Sequence, residues 1–417
     1  MDDGIRRCAP SAHTAVACLL GAALLSATAG SAPVAAAQRA RVTRPAGPCE
    51  GSSEPTFFPS NRRLAVTAKG RLLAVYDPHG SGQQLVWKDP GGPWRTRTTG
   101  DVNNGFFPEN RRGDRPATIA VARDGRGTQH AWVVTAGPHY TYSVALRLRR
   151  LSKLNAPGGP RVGPRVTIEA EGSGGNARPD LVFERGRRGG RRGVVSWLRR
   201  DGGRYEMTVE WFTKLGTDTP SSHHRKVLFR SSSAQPTGTL VATPRGTALV
   251  ATTARGRLRV YRHRRGAPLD RWKAGRARVK VSRSSIPSAV RLPSGALLAA
   301  VGTPSGNVVK VVRWRGGRAR VVRRLRGYRH PSLAHVGRGA WLVMIRRRDG
   351  KVVSRRWLPR KGWSGRDRVE IGRGHGGGYS WPNALRDSRR TLRFLVQGER
   401  CPNNANSNAV LAYSRRV

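Results

Sequence analysis

Acidic residues are scarce in this chain of 417 residues. It contains 24 Asp and Glu against 78 Lys and Arg, which gives a formal net charge of +54. A GC-rich coding sequence would explain why only ten of the basic residues are Lys, but it does not explain so few acids. A surface this positive attracts phosphate, sulfate and carboxylate polymers. Polyanion binding and a purely compositional origin of the charge both remain open at this point.

Long apolar runs are also lacking, with one exception near the N-terminus. Arg6 and Arg7 precede an uninterrupted apolar stretch at 15–25, and small residues with A-x-A sites follow at 27–29 and 35–37. This order is typical of a secretory signal peptide, and the apolar stretch is short for a membrane span. We therefore predict a signal peptide at 1–37, an exported mature protein and no later transmembrane segment.

Cysteine is rare, and its positions fit that prediction. Cys8 and Cys18 would be removed with the signal peptide, which leaves Cys49 and Cys401 near the two ends of the mature chain. An even pair in an oxidising compartment indicates a disulfide bond.

Helix signals are nearly absent after the signal peptide. Short runs of Val, Leu, Ala, Thr and Trp alternate instead with Gly, Pro and Asp-Gly turns. Residues 308–324 are one example, because Gly316 and Gly317 lie between two runs of β-forming residues and predict a hairpin turn.

One phrase recurs along the chain. Residues 286–301 (IPSAVRLPSGALLAAV) and 330–345 (HPSLAHVGRGAWLVMI) share a Pro-Ser pair, a Gly eight residues after the Pro and an apolar end. Looser copies occur elsewhere, at spacings of 44 to 63 residues. The prolines that anchor the copies are Pro59, Pro116, Pro179, Pro236, Pro287, Pro331 and Pro382.

About seven repeats of three or four short strands predict a β-propeller, with seven blades favoured over six. The Pro fits the start of each innermost strand, the apolar second strand would lie between blades, and the Arg-rich outer strands would face solvent. A β-solenoid or a pair of β-sandwiches is the alternative. The predicted organisation is a signal peptide at 1–37, an N-terminal segment at 38–54 with Cys49, and one propeller at 55–417. A Cys49–Cys401 bond would then close the ring.

The repeats resemble those of secreted sialidase-like propellers with BNR-type repeats. That family carries Asp-boxes of the form Ser-x-Asp-x-Gly-x-x-Trp, which this chain lacks. The family also has a Phe/Tyr-Arg-x-Pro motif whose Arg binds a sugar carboxylate. Tyr328-Arg329-His330-Pro331 matches that string in the sixth unit, whereas the family has it in the first. The resemblance implies the fold, and it carries over no enzyme activity.

Catalytic motifs are few. There is no H-E-x-x-H, no Cys cluster and no G-x-S-x-G, so we predict no cofactor and no metal site. Glycosidases need two carboxylates at one bond. Four acids fall in one unit, and local charge balance is the simpler interpretation of them: Asp180, Glu184, Glu206 and Glu210.

In propellers, the residue before each innermost strand faces the central funnel. Arg, His and Trp side chains there would suit an anionic or sugar-like ligand, although they could equally plug the channel. The candidate binding residues, including the neighbouring Arg of the sixth unit, are Arg115, Arg178, Arg329, His330 and Trp381.

These observations favour a monomeric, non-enzymatic propeller that binds anionic extracellular polymers such as acidic polysaccharide, teichoic acid or nucleic acid. The alternatives are a sialidase-like glycoside hydrolase and a structural scaffold without a specific ligand. Arg concentrated on one face would favour binding, whereas an even spread would favour composition.

Overall fold

The computed structural model shows a seven-bladed β-propeller and contains no helix among the residues that it describes. The described residues are 41–44, 62–76, 84–96, 117–140, 143–169, 178–185, 191–232, 235–359, 361–372, 379–385, 387–388, 390–401 and 404–417. The predicted signal peptide lies outside these ranges. No helix in the described part of the chain is long and apolar enough to cross a membrane.

Each blade is a small antiparallel sheet whose strands follow one another from the channel outward. Blade 1 comprises β2 (Leu64–Val66), β3 (Leu72–Tyr76), β4 (Gln84–Lys88) and β5 (Trp94–Thr96). Blade 2 comprises β6 (Ala117–Arg123), β7 (Gln129–Tyr140), β8 (Ser143–Ser152) and β9 (Arg161–Glu169). Blade 3 comprises β10 (Asp180–Arg185), β11 (Arg191–Asp201), β12 (Arg204–Thr213) and β13 (Ser221–Ser231).

The remaining blades follow the same order. Blade 4 comprises β14 (Thr237–Thr243), β15 (Gly246–Thr252), β16 (Arg257–Arg264), β17 (Trp272–Ala274) and β18 (Val279–Lys280). Blade 5 comprises β19 (Ile286–Arg291), β20 (Leu297–Gly302), β21 (Val308–Arg315) and β22 (Arg318–Arg326). Blade 6 comprises β23 (Tyr328–Val336), β24 (Gly339–Arg346), β25 (Val352–Leu358), β26 (Gly362–Trp363) and β27 (Arg368–Ile371), with β29 (Asp387–Ser388) beside β23. Blade 7 comprises β28 (Ser380–Ala384), β30 (Thr391–Cys401), β31 (Asn404–Arg416) and β1 (Arg41–Thr43).

The hydrophobic core is divided among the interfaces between blades. The described residues form seven clusters of buried side chains at these interfaces, one between each pair of neighbouring blades, including blades 7 and 1. The second strands contribute most completely, since every residue of β15 and of β20 is buried. A four-stranded sheet has two faces to bury, and radial stacking buries both against neighbours. The prediction that the apolar second strand lies between blades is confirmed.

The hairpin predicted at 308–324 is also confirmed. β21 and β22 are joined by Gly316 and Gly317, whose φ angles of 56° and 80° suit a tight turn that L residues adopt poorly.

The ring is closed by a strand from the N-terminus. β1 pairs with β31, so that Val42 lies opposite Tyr413, and the indole of Trp94 in blade 1 donates a 2.9 Å hydrogen bond to Thr43. Arg41–Thr43 fall in the segment 38–54 that was predicted to precede the propeller, and they supply the outermost strand of blade 7. Cys49 and the side chain of Cys401 lie outside the described part, so their disulfide bond stays a prediction.

Candidate functional site

Polar side chains tie neighbouring inner strands together around the channel. Each inner strand has its main ladder on one side only, so its other edge presents N–H groups that need acceptors. Side chains from other blades supply them, and the contacts are Asp180 Oδ2 with Leu240 N (2.7 Å), Ser288 Oγ with Leu333 N (3.0 Å), Ser332 Oγ with Ala384 N (2.9 Å) and Asn383 Oδ1 with Arg63 N (3.2 Å).

Arg62 of blade 1 reaches across the channel to blades 3 and 4. Its Nε lies 3.3 Å from Asp180 Oδ1, and its Nη2 donates a 2.6 Å hydrogen bond to the carbonyl of Leu240. Asp180 is fully buried, so this ion pair compensates a carboxylate that water cannot reach. The arrangement fixes the guanidinium of Arg62 inside the channel.

A cavity of about 290 Å³ lies beyond Arg62, where several inner strands end. It contains two cationic side chains and one imidazole among aliphatic walls. The lining residues are Arg62, Val241, Ala242, Ala289, Val290, Arg291, Leu292, Pro293 and His335. Sequence reasoning missed this cavity, because no repeat position marks Arg62 or Arg291 as facing the channel.

The residues before the anchoring prolines lie at the opposite ends of the inner strands. Three of them adopt left-handed backbone conformations, with φ of 42° at Arg178, 50° at His330 and 50° at Trp381. Such angles are strained for residues with side chains, and strain of this kind is tolerated where the surroundings fix it. At His330 and Trp381 the chain also forms a β-bulge, in which two residues oppose one.

His330 and Trp381 stack on one another across blades 6 and 7. Their ring centroids are 3.8 Å apart, both side chains are buried, and Ile286 of blade 5 packs on Trp381. Nδ1 of His330 accepts a 3.3 Å hydrogen bond from the Trp381 backbone N–H, and Nε2 donates to the carbonyl of Pro304 at 3.0 Å. Burial and the neighbouring Arg329 lower the pKa of His330 to about 3, so the ring is neutral. The two rings therefore pack on one another and on Ile286 at this end of the inner strands.

The other candidate funnel residues are separately placed. Arg178 donates a 2.6 Å hydrogen bond to Gln235, which precedes the next blade, and burial lowers the pKa of Arg178 to about 10. Arg329 is half-buried, and burial together with Arg347 lowers its pKa. Arg115 lies outside the described residues. The structure thus brings His330 and Trp381 together, and it pairs Arg178 with Gln235.

Tyr328, the first residue of the Tyr-Arg-x-Pro string, belongs to a local hydrogen-bond network. Its hydroxyl donates a 2.6 Å hydrogen bond to Asp367, which also accepts one from Arg355 at 2.7 Å. Burial and the adjacent Asp367 raise the pKa of Tyr328.

The buried acids of blade 3 also have cationic or hydroxyl partners. Glu184 contacts Arg192, accepts a 2.5 Å hydrogen bond from Thr247 and faces His263 at 3.6 Å. Burial opposes ionisation of Glu184, but His263 and Thr247 outweigh it and hold its pKa below the usual value. Glu206 lies between Arg199 and Arg230. No cluster of three metal-ligating side chains occurs within the described ranges.

Positive charge is concentrated on blades 4 and 5. Residues 235–327 contain 19 Arg and three Lys but a single acid, Asp270, whereas residues 178–232 of blade 3 contain 13 basic and six acidic residues. Among the described residues, no Arg or Lys of 235–327 forms an ion pair with a carboxylate. The spread of charge is therefore uneven, and we name the outer strands of these two blades, β16 to β18, β21 and β22, the basic face.

Like charges oppose one another directly within the basic face. Cross-strand neighbours that are both cationic destabilise a sheet by roughly 0.2–1 kcal/mol a pair. The pairs are Arg257 with Lys280, Arg262 with Lys273, Lys310 with Arg324, Arg313 with Arg320 and Arg315 with Arg318. Blades 2 and 3 each contain one such pair, Arg149 with Arg165 and Arg185 with Arg191. Blade 3 also opposes unlike charges, because Arg199 lies opposite Glu206 and Arg204 lies opposite Asp201.

A groove of about 690 Å³ runs along β22 toward blade 6. Arg323, Arg324 and Arg326 line it on one side, with Tyr328 and Arg355 on the other. The three arginines of β22 are exposed, and they make no hydrogen bond to a described side chain. The groove therefore presents uncompensated guanidinium groups to solvent.

Several solved structures are similar to this chain at low sequence identity. The polysaccharide lyase Uly1 matches with a TM-score of 0.50 and 9% identity, over 85% of this chain and 90% of the lyase. AofleA from Arthrobotrys oligospora matches with a TM-score of 0.47 and 10% identity, over 80% of this chain and 90% of its own. An α-L-arabinanase from Penicillium chrysogenum matches with a TM-score of 0.43 and 13% identity, over 88% of this chain and 97% of the enzyme. At 9% identity, the match to the lyase concerns the fold alone.

No protein-family model matches the chain. No curated protein matches its sequence.

Proposed function

We propose that this protein is an exported, non-enzymatic propeller that binds anionic extracellular polymers through the basic face of blades 4 and 5. The observation that carries the proposal is the concentration of five directly opposed cationic pairs in these blades, where the sequence has a single acid. A composition-driven excess of Arg would spread over all blades. Blade 3 has more than one acid for every three basic residues, whereas blades 4 and 5 have one acid in all.

A polymer of regularly spaced anions suits this surface better than a single small anion does. Exposed arginines recur along β22 at Arg318, Arg320 and Arg323, so several anionic groups could be neutralised along one strand. Each contact would release condensed counterions, which makes such binding steeply dependent on salt. Arg also forms paired hydrogen bonds with phosphate, sulfate and carboxylate. The groove beside β22 offers a place for a flexible polymer to lie.

The predicted signal peptide favours an extracellular polymer as the ligand. Acidic polysaccharide, teichoic acid and extracellular nucleic acid all carry repeated negative charges. Contacts to backbone phosphates do not depend on the identity of the bases, so we expect little preference between nucleic acid sequences. Sialidase-like glycoside hydrolysis, which the sequence resemblance suggested, is the competing function.

The experiment uses the mature chain and fluorescently labelled heparin as a sulfated probe. One variant replaces Arg318, Arg320 and Arg323 of blade 5 with Gln. A matched control replaces Arg338, Arg347 and Arg348 of blade 6, which are equally exposed. Both variants lose three charges, so bulk charge affects them equally. Fluorescence anisotropy gives the dissociation constants at a fixed salt concentration.

We expect the blade 5 variant to bind about tenfold more weakly or worse, because three exposed ion pairs are worth roughly 0.5 kcal/mol each. The blade 6 control should stay within about threefold of the unmodified protein. Equal losses of affinity in the two variants would show that binding depends on net charge alone and would refute the proposed face. Turnover of a chromogenic glycoside panel by the unmodified protein would instead support the hydrolase.

A further inference from the structure

The cavity at the strand ends of the channel has features that the polymer-binding surface does not explain. It has a volume of about 290 Å³, near the lower end of the range for ligand pockets, and residues at the ends of inner strands line it. Aliphatic side chains form most of its wall: Val241, Ala242, Ala289, Val290, Leu292 and Pro293.

Arg291 is the unusual member of this cavity. Its side chain lies at the end of β19, is half-buried and has a fully buried Nε. No hydrogen-bond acceptor or carboxylate among the described residues pairs with it. Buried cationic donors are normally paired, because losing hydration without a replacement is unfavourable. The Nε–H of Arg291 therefore lies beside the cavity without an acceptor in the described part of the chain, and an acceptor that enters from outside the chain would satisfy it.

Arg62 supports the same interpretation. Its charge is already compensated by Asp180, and its Nη2 is engaged with the Leu240 carbonyl, so the side chain is held in place. Arg62 therefore places a fixed guanidinium at the cavity, and Asp180 already balances its positive charge. Arg291 leaves one positive charge for a ligand to neutralise.

We propose that this cavity binds a small organic monoanion, namely a carboxylate on a compact apolar body. One uncompensated guanidinium matches one carboxylate, which its planar fork can bind through two parallel hydrogen bonds. The aliphatic wall matches an apolar body, and an inorganic anion would leave that wall uncovered. The site lies at the other end of the inner strands from His330 and the Tyr-Arg-x-Pro string, and it is independent of the basic face.

The test measures binding of benzoate to the mature chain by isothermal titration calorimetry. Benzamide serves as the neutral analogue of the same shape, and glucuronate as a polar carboxylate. The variants are Arg291→Gln and, as a matched control outside the basic face, Arg283→Gln at an exposed arginine before β19. A third variant, Ala242→Phe, fills the cavity and keeps every charge, and the exposure of Ala242 means that the core is undisturbed.

We expect benzoate to bind the unmodified protein and Arg283→Gln with the same affinity. Arg291→Gln should weaken benzoate at least tenfold, Ala242→Phe should abolish its binding, and benzamide and glucuronate should each bind at least tenfold more weakly than benzoate. Circular dichroism confirms that each variant is folded. The proposal is overturned if the folded, unmodified protein does not bind benzoate, if Arg283→Gln weakens benzoate binding as much as Arg291→Gln does, or if glucuronate binds more tightly than benzoate.

Discussion

The hydroxyl of Ser288 in blade 5 accepts a hydrogen bond from the backbone N–H of Leu333 in blade 6, at 3.0 Å. Ser332, the matching residue of blade 6, makes the same contact with Ala384 of blade 7 at 2.9 Å. Both serines directly follow an anchoring proline. The repeated Pro-Ser phrase therefore has a structural cause: the Pro lies in the inner strand, and the Ser caps the bare edge of the next one.

Ser288→Ala should destabilise the fold through this contact. The buried N–H of Leu333 would lose its acceptor, which costs about 1–3 kcal/mol. Ser294→Ala, in the exposed turn after β19, is the control and should change stability by less than about 0.5 kcal/mol. Denaturant unfolding measures both. Equal stability of the two variants would argue against the capping role.

The interface between blades 6 and 7 depends on a buried carboxylate. Arg415 binds Glu370 through two hydrogen bonds of 2.9 and 3.0 Å, and Ser354 and Tyr413 donate to the same carboxylate. Glu370→Gln should cost about 3 kcal/mol, since it leaves the Arg415 cation buried without its counter-charge. Adding Arg415→Met should restore part of that stability. A double-mutant cycle in denaturant measures the coupling, and strictly additive effects would contradict it.

The architecture could be predicted from the sequence to a large extent. Recurring prolines, Gly-Gly and Asp-Gly turns and apolar second strands are local signals, and together they indicate the blades. The ring closure by Arg41–Thr43 was missed, because three residues without a repeat carry no pattern. The roles of Arg62 and Asp180 were missed for a related reason. They meet across the channel from blades 1 and 3, and no periodicity within one strand reveals such a contact.

For the funnel residues, the sequence predicted which side chains to examine but not their backbone conformation. The proline pattern brought attention to His330 and Trp381, and these two side chains do meet. Their left-handed backbone conformation could not be anticipated, since the residue before a proline normally prefers extended angles. The uneven charge was visible in the sequence, but the direct opposition of Arg313 and Arg320 required the strand register.

Stability should depend on pH through His330. Its folded pKa is about 3, against 6.5 for an unperturbed His. As the pH falls below about 6.5 the unfolded chain takes up a proton and the folded chain does not, so stability decreases until about pH 3. The slope should approach about 1.4 kcal/mol per pH unit. His330→Phe, which keeps a ring beside Trp381, should lose that slope. An unchanged profile in the variant would assign the pH dependence to other groups.

The remaining cysteines should form one disulfide bond. Cys49 and Cys401 lie near opposite ends of a chain that closes a ring, and the predicted export supplies an oxidising compartment. Non-reducing digestion of protein secreted by its own cell, followed by mass spectrometry, should identify one linked peptide pair. Two free thiols would contradict both the bond and the expected compartment.

The salt dependence of polymer binding tests the central claim most directly. Duplex DNA is the probe, because its charge density makes the slope interpretable: log K against log[salt] falls by about 0.9 for each phosphate neutralised. If the arginines of β22 make these contacts, replacing Arg318, Arg320 and Arg323 with Gln should reduce the slope by between about 2 and 3. The blade 6 control with Arg338, Arg347 and Arg348 replaced should keep the slope of the unmodified protein. A slope that falls equally in both variants, or in neither, would contradict a binding face on blades 4 and 5.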